Sequence, residues 1–261
     1  MALPEPVPAA RLHMGRLLLA APRLAALAQE RRLRRDQDDS GYLVHDQLAA
    51  LFQEGTVQPF RVTREWARNV EVLGYSALDE EALRERAASY APPEAYRATD
   101  WEAFAVKPMP ESFQPGRRLG FEVRLCPVVR LASARTVRGK DGGTQKYSRG
   151  REVDAWEHRR FLANEPDQGI SREEAFRHWL AHRLAGAAEL ESARLTRFQR
   201  TRLVRKTHEP KRTSHVLQRP DATLQGTLTV ADGERFLDLL TRGVGRHRAF
   251  GFGMLLLRAP E

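Results

Sequence analysis

Apolar and polar positions along this chain alternate with two periods, and the switches between them mark the elements. Leu12 to Ala20 reads as a first strand, or alternatively Leu17 to Leu27 as a helix. Asp39-Ser40-Gly41 is a turn and cap signal. After it Leu43, Leu48, Leu51 and Phe52 recur at helical spacing, which predicts a helix over Tyr42 to Gln53. Phe60 to Val62 and Val70 to Gly74 follow as short strands. Asp79 to Tyr90 is helical, with Leu83 and Ala87 apolar and acids near its start, where the helix dipole favours them. Phe104 to Lys107 makes a fourth strand, and Pro108 to Gly116 reads as a linker. In order this is βαββαβ, the ferredoxin-like unit, over residues 1–110.

Residues 117–261 repeat the scheme. Arg117 to Leu131 alternates as a strand up to a break at Pro127, whose missing N–H does not suit a ladder. Ser171-Arg-Glu-Glu174 is a capping box that opens a helix to about Leu184. Thr223 to Val230 alternates as a strand. Asp232 caps a helix carrying Phe236, Leu237, Leu239 and Leu240, and Gly243 stands at its stop. Met254 to Leu257 is a short buried strand. A glycine-containing basic insertion occupies about residues 132–170, with a short helix from Val153 to Leu162 inside it. The predicted class is α+β: two tandem ferredoxin-like, RRM-like domains with basic helical and hairpin insertions in the second.

Composition narrows the partner. The chain has 261 residues, 41% of them hydrophobic, enough for a core that folds without staples. The single cysteine, Cys126, excludes an internal disulfide and a thiolate metal cluster, and fits a reducing cytoplasm. A formal charge of +9, carried mainly by arginine, calls for a polyanion. A membrane surface is the rival, but there is no basic amphipathic helix with a wide aromatic face. Nor does any segment approach the ~20 consecutive apolar residues of a membrane span. Leu17 to Ala28 resembles a signal core only until Pro22 and Arg23 break it. His178 and His182 have a zinc-compatible spacing but no evident third ligand, so no metal is expected.

The cations expected to meet the polyanion are grouped. Arg130, Arg135, Arg138, Lys140, Lys146, Arg149 and Arg151 flank or fill the basic insertion, and Arg159 and Arg160 lie on its helix. Arg197, Arg200 and Arg202 recur too regularly and too unpaired to be only solubilising. Near the C-terminal end, Gly243-Val-Gly-Arg-His-Arg-Ala-Phe-Gly-Phe-Gly253 places Arg246, His247 and Arg248 among four glycines. Glycines at 243, 245, 251 and 253 permit φ > 0, and consecutive N–H groups in such a loop can form an anion-binding nest. It is not a Walker loop, because no Gly-Lys-Ser/Thr follows.

This stretch resembles the signature loop of the CRISPR-associated RAMP-superfamily endoribonucleases that cut CRISPR precursor RNA, above all the type I-E branch or a divergent type IV variant of it. The pattern Gly-hydrophobic-Gly-x-x-Lys/Arg-x-x-Gly-x-Gly-Leu-Leu stands here as Gly243-Val244-Gly245, Arg248, Gly251-Phe252-Gly253-Met254-Leu255. The branch also carries Tyr-x-x-His at the start of its first helix, and Tyr42-Leu43-Val44-His45 stands in the matching place. Its Arg-Phe-x-Leu-Arg-x-Asn-Pro-x-Lys segment is matched at Arg124 and Pro127, with Cys126 replacing the asparagine, Val129 at the lysine position and Arg130 one place on.

The resemblance implies cleavage of a CRISPR repeat stem-loop by its own ribose 2′-OH, with no cofactor. His45 would transfer a proton, Tyr42 would assist, and Arg23, Arg242 and Arg248 would be candidates to stabilise the developing charge. It also implies that the protein stays on the mature crRNA as a subunit of an effector complex. A non-catalytic hairpin-binding subunit shares every basic feature and differs only at Tyr42 and His45. A general tandem RNA-recognition module should show aromatic pairs on its central strands, and none is evident.

Overall fold

The computed structural model describes residues 11–30, 40–138, 143–162, 169–206 and 214–260. Lys140 and the arginines between 31 and 35 lie outside these residues, and Arg138 is described in its backbone only. The strand reading of the first segment holds, and the helix read from Leu17 starts only at Ala21, because Leu17 to Ala20 belong to the strand. Strand β1 (His13–Ala20) runs directly into helix α1 (Ala21–Glu30). Pro22 falls in the first turn of α1, where its missing N–H would have had no partner in any case.

Helix α2 (Gly41–Phe52) buries Val44, Leu48, Leu51 and Phe52. Strands β2 (Phe60–Glu65) and β3 (Asn69–Ser76) form a hairpin, and α3 (Glu80–Tyr90) starts at Asp79, whose carboxylate accepts from the Ala82 N–H. A short α4 (Pro93–Arg97) and β4 (Ala105–Pro108) complete the unit. The sheet is antiparallel in the order β2-β3-β1-β4, which is the ferredoxin-like arrangement.

The second sheet repeats it. Its strands are β5 (Arg118–Leu125), the very long β10 (Ala188–Lys206) and β11 (Ser214–Val230), and β12 (Leu255–Arg258), in the order β10-β11-β5-β12. The covering helices are α6 (Arg172–Leu184) and α7 (Gly233–Arg242). Between β5 and α6 lie β6 (Val128–Arg130), β7 (Arg135–Arg138), β8 (Thr144–Tyr147), β9 (Glu152–Asp154) and α5 (Ala155–Leu162). β6 pairs with β9 and β7 with β8, so the basic insertion is two ribbons and a helix. β11 pairs with β5 only over Ala222–Thr229, while its pairing with β10 continues to Ser214. The outer half of this hairpin therefore leaves the sheet.

The predicted linker is an exposed strap pinned by two buried side chains. Met109 and Phe113 belong to the second core, and Phe113 meets Phe236 edge-on at 5.0 Å. Gly116 N–H donates to the Val230 carbonyl at 2.8 Å. Two further contacts tie the sheets together. Tyr75 on β3 donates its hydroxyl to the Leu255 carbonyl at 2.8 Å, and Arg61 on β2 pairs with Glu122 on β5. Burial pulls the Arg61 guanidinium below its ordinary range, with the Glu122 charge opposing. No helix among the described residues is long and apolar enough to cross a membrane.

Candidate functional site

The loop between α7 and β12 is shaped by its own packing. All four of its glycines have positive φ: 72° at Gly243, 81° at Gly245, 77° at Gly251 and 85° at Gly253. A Cβ on Gly245 would lie 2.7 Å from the Trp179 ring of α6, and one on Gly253 would lie 2.5 Å from the Val244 carbonyl oxygen. Gly253→Ala therefore combines a forbidden backbone with a backbone clash, and is expected to cost ~1–3 kcal/mol or more. The midpoint of urea denaturation measures it.

Much of the loop's backbone is already committed. Gly243 N–H donates to the Leu239 carbonyl, Val244 to Gly253, Gly251 to Arg248, and Gly253 to Arg124. Of the loop's N–H groups expected to form an anion nest, those left for it are from Gly245 through Ala249, and the other three glycines serve the loop's shape. Its cations are committed as well. Arg246 reaches Glu152 on β9 at 2.7 Å, and the Nε2 of His247 lies 3.3 Å from the same carboxylate. Arg219 from β11 adds a third contact at 3.0 Å.

Burial raises the Glu152 carboxyl, but the bond from Arg246 and the charges of His247 and Arg219 outweigh it and hold it below its usual range. Burial lowers His247, against the pull of Glu152. His247 is also one of two non-glycine residues with positive φ among those described, at 62°. No periodicity flags Glu152 in the sequence; the signal available was an acid placed directly after a basic run.

Arg248 donates from Nη1 to the Arg242 carbonyl, and Arg242 pairs with Asp238 at 2.8 Å on the exposed last turn of α7. The turn formed by Arg248–Phe250 packs against α2, where Phe250 stacks on Tyr42 with ring centroids 6.1 Å apart and planes at 28°. His45 lies one helical turn further along α2, half-buried and without a hydrogen-bond partner among the described residues. Helix α2, which carries Tyr42 and His45 of the first unit, thus packs against the Arg248–Phe250 turn of the second unit's glycine loop. Arg23 stands apart from this group in sequence, exposed in the first turn of α1.

The remaining cations lie on the insertion and the long hairpin. Arg135, Lys146, Arg149 and Arg151 are exposed on or beside the β7–β8 ribbon, and Arg151 covers the Tyr147 ring at 5.0 Å. Arg130 donates to the Gly150 carbonyl at 3.2 Å. On α5, Arg159 is half-buried and Arg160 lies 4.7 Å over Trp156. Arg197 bonds Gln199, and Arg202 is half-buried. Arg200, read as unpaired, in fact bonds Glu157 at 3.1 Å, because α5 brings an acid against β10 that is distant in sequence. No three His, Cys, Asp or Glu side chains converge as a metal site among the described residues.

Tandem ferredoxin-like sheets, with a basic ribbon and a glycine-rich turn set against a Tyr-x-x-His helix, define a protein of the RAMP type. The family model described as CRISPR associated protein matches residues 12–259, and the chain belongs to that family. It is 30% identical over 160 residues to the CRISPR-associated endoribonuclease Cse3 of Thermus thermophilus, a match covering 59% of this chain and 62% of that one. The matched part is thus a little under two thirds of that relative's length. The structure of Thermus thermophilus Cse3 bound to an RNA representing a pre-cleavage complex aligns with a TM-score of 0.55 at 19% identity, over 95% of this chain and 99% of that one. CRISPR-associated protein Cas6e from Escherichia coli str. K-12 aligns at 0.56 and 18% identity, over 95% and 100%. At these identities the likeness is one of fold.

Proposed function

We propose that the protein binds the stem-loop of a CRISPR repeat and cleaves precursor crRNA without a metal. The observation that carries this reading is the packing of α2, with Tyr42 and His45, against the cationic glycine loop. The ribose 2′-OH beside the scissile phosphate loses its proton and attacks phosphorus; the bond to the 5′ oxygen breaks, and that oxygen gains a proton. The products are a 2′,3′-cyclic phosphate and a 5′-OH. Imidazole can give or take a proton near neutrality, so His45 serves one of these transfers and Tyr42 orients it or the nucleophile. Arg248 and Arg242 supply fixed positive charge to the phosphorane.

The stem is read by shape. A deep A-form major groove hides its base edges, so the exposed cations of the β7–β8 ribbon and of β10 address phosphates and 2′-OH groups. After cleavage the protein stays on its product as a subunit of an effector complex. The test is cleavage of a labelled repeat RNA from the host's own array, in EDTA, with a 2′-deoxy sugar at the cut site as control. Cutting in EDTA that the deoxy sugar abolishes is expected; tight binding with no cut would leave a hairpin-binding subunit instead.

Phe250 gives this reading a second handle, since its ring is the loop's contact with Tyr42. Phe250→Leu is expected to slow single-turnover cleavage about tenfold by loosening Tyr42, with Phe250→Tyr close to wild type. RNA affinity should hardly move in either variant. Rate constants at saturating protein, set beside dissociation constants, separate the two effects.

A further inference from the structure

We propose that Trp66 is a stacking platform for an unpaired base of the RNA strand that flanks the stem-loop, a site that rests on the RNA-processing reading above. Trp66 sits in the turn joining β2 to β3, and its N–H closes that turn on the Asn69 carbonyl at 2.8 Å. The residue is nonetheless 48% exposed. Tyr96, another exposed aromatic, is accounted for by its stack on Trp101 at 4.7 Å. Trp66 makes no ring contact among the described residues.

A single exposed indole is unremarkable by itself; its company is not. Arg64 near the end of β2 and Arg68 in the turn are both exposed. The Ala21 N–H donates to the Arg68 carbonyl at 2.8 Å, which brings the exposed Arg23 of α1 to the same end of the sheet. An exposed aromatic with exposed arginines at the same end of a sheet is what single-stranded RNA binds: each base has a π-face to stack, and the cations follow the phosphates. The location fits a flank. Glu65, next to Trp66, accepts a hydrogen bond from Ser40 at the entry to α2, two residues before Tyr42. A strand running past His45 toward this end of α2 reaches the turn.

The experiment measures dissociation constants for non-cleavable RNA, carrying a 2′-deoxy sugar at the cut site, as the bare stem-loop and with a short unpaired extension on its 5′ or its 3′ side. For the wild-type protein one extension is expected to tighten binding by roughly tenfold, the scale of one stacked base. Trp66→Ala should lose that gain, Trp66→Phe should keep most of it, and both should bind the bare stem-loop as wild type does. The ratio of the four constants for wild type and Trp66→Ala isolates the coupling. An extension that helps both proteins equally, or neither, overturns the platform while the RNA-processing reading stands. So does an equal loss on the bare stem-loop. If the wild-type protein binds no stem-loop at all, the wider reading falls, and the platform with it.

Discussion

Replacement of His45 by alanine is expected to slow single-turnover cleavage by about 10²- to 10⁴-fold, the range for loss of a placed acid or base. RNA affinity should stay within about threefold, because an interaction made only in the transition state leaves ground-state binding alone. What favours His45 for the proposed role is its company rather than its burial. Phe250 holds Tyr42 from the second unit, and Arg248 is anchored on the Arg242 carbonyl two residues from that ring. A full rate in His45→Ala would move the chemistry to arginine, with Arg242 and Arg248 the first to replace. Arg23, a candidate on sequence grounds, belongs to the Trp66 end of the sheet and should change affinity before rate.

Replacement of Asp221 by alanine carries the largest expected effect on folding. Arg124 and Asp221 form a forked pair at 2.9 and 2.8 Å, with the aspartate only 1% exposed and the arginine 8%. Asp221 also accepts from Gln199 and Thr201, and Arg124 lies 4.4 Å over the Phe252 ring. Removing the carboxylate strands a guanidinium away from water, a loss of ~3–5 kcal/mol. The damage should reach the site, because the Arg124 carbonyl takes the Gly253 N–H.

The pH dependence has a definite sign. Burial raises the Asp221 carboxyl, but the bond and charge of Arg124 prevail and its folded value lies below the ordinary one. Its stabilising contribution is therefore complete above the unfolded value of ~4 and is lost as pH falls toward the folded one. Urea midpoints of wild type and Asp221→Asn across that window should converge at the acid end.

What the sequence disclosed was what is local. The spacing of Leu48, Leu51 and Phe52 set α2 to within a residue, and with it the faces of Tyr42 and His45, although the expected cap is not made: the Ser40 hydroxyl donates to Glu65 instead. Asp232 and Gly243 bounded α7 because caps act over a single turn. The hidden parts depend on partners far along the chain. β11 was read only from Thr223, where its inner face meets β5; from Ser214 to Asp221 it pairs with β10 alone. Pro220 is tolerated there, beyond the β5 register, where no ladder bond on that side needs its N–H. Likewise Met109 and Phe113 turn an apparent linker into part of the core, and Glu152 gathers cations from β11 and the glycine loop. Neither leaves a periodicity to read.

The most direct measurement for the account is the mass of the 5′ fragment released from a repeat stem-loop by the wild-type protein. A fragment one water lighter than the linear 3′-phosphate, its partner ending in a 5′-OH, is the result expected of 2′-OH attack assisted by His45 and Tyr42. A 3′-OH on that fragment with a 5′-phosphate on its partner would mean that water was the nucleophile, and the assignment of this site would be wrong.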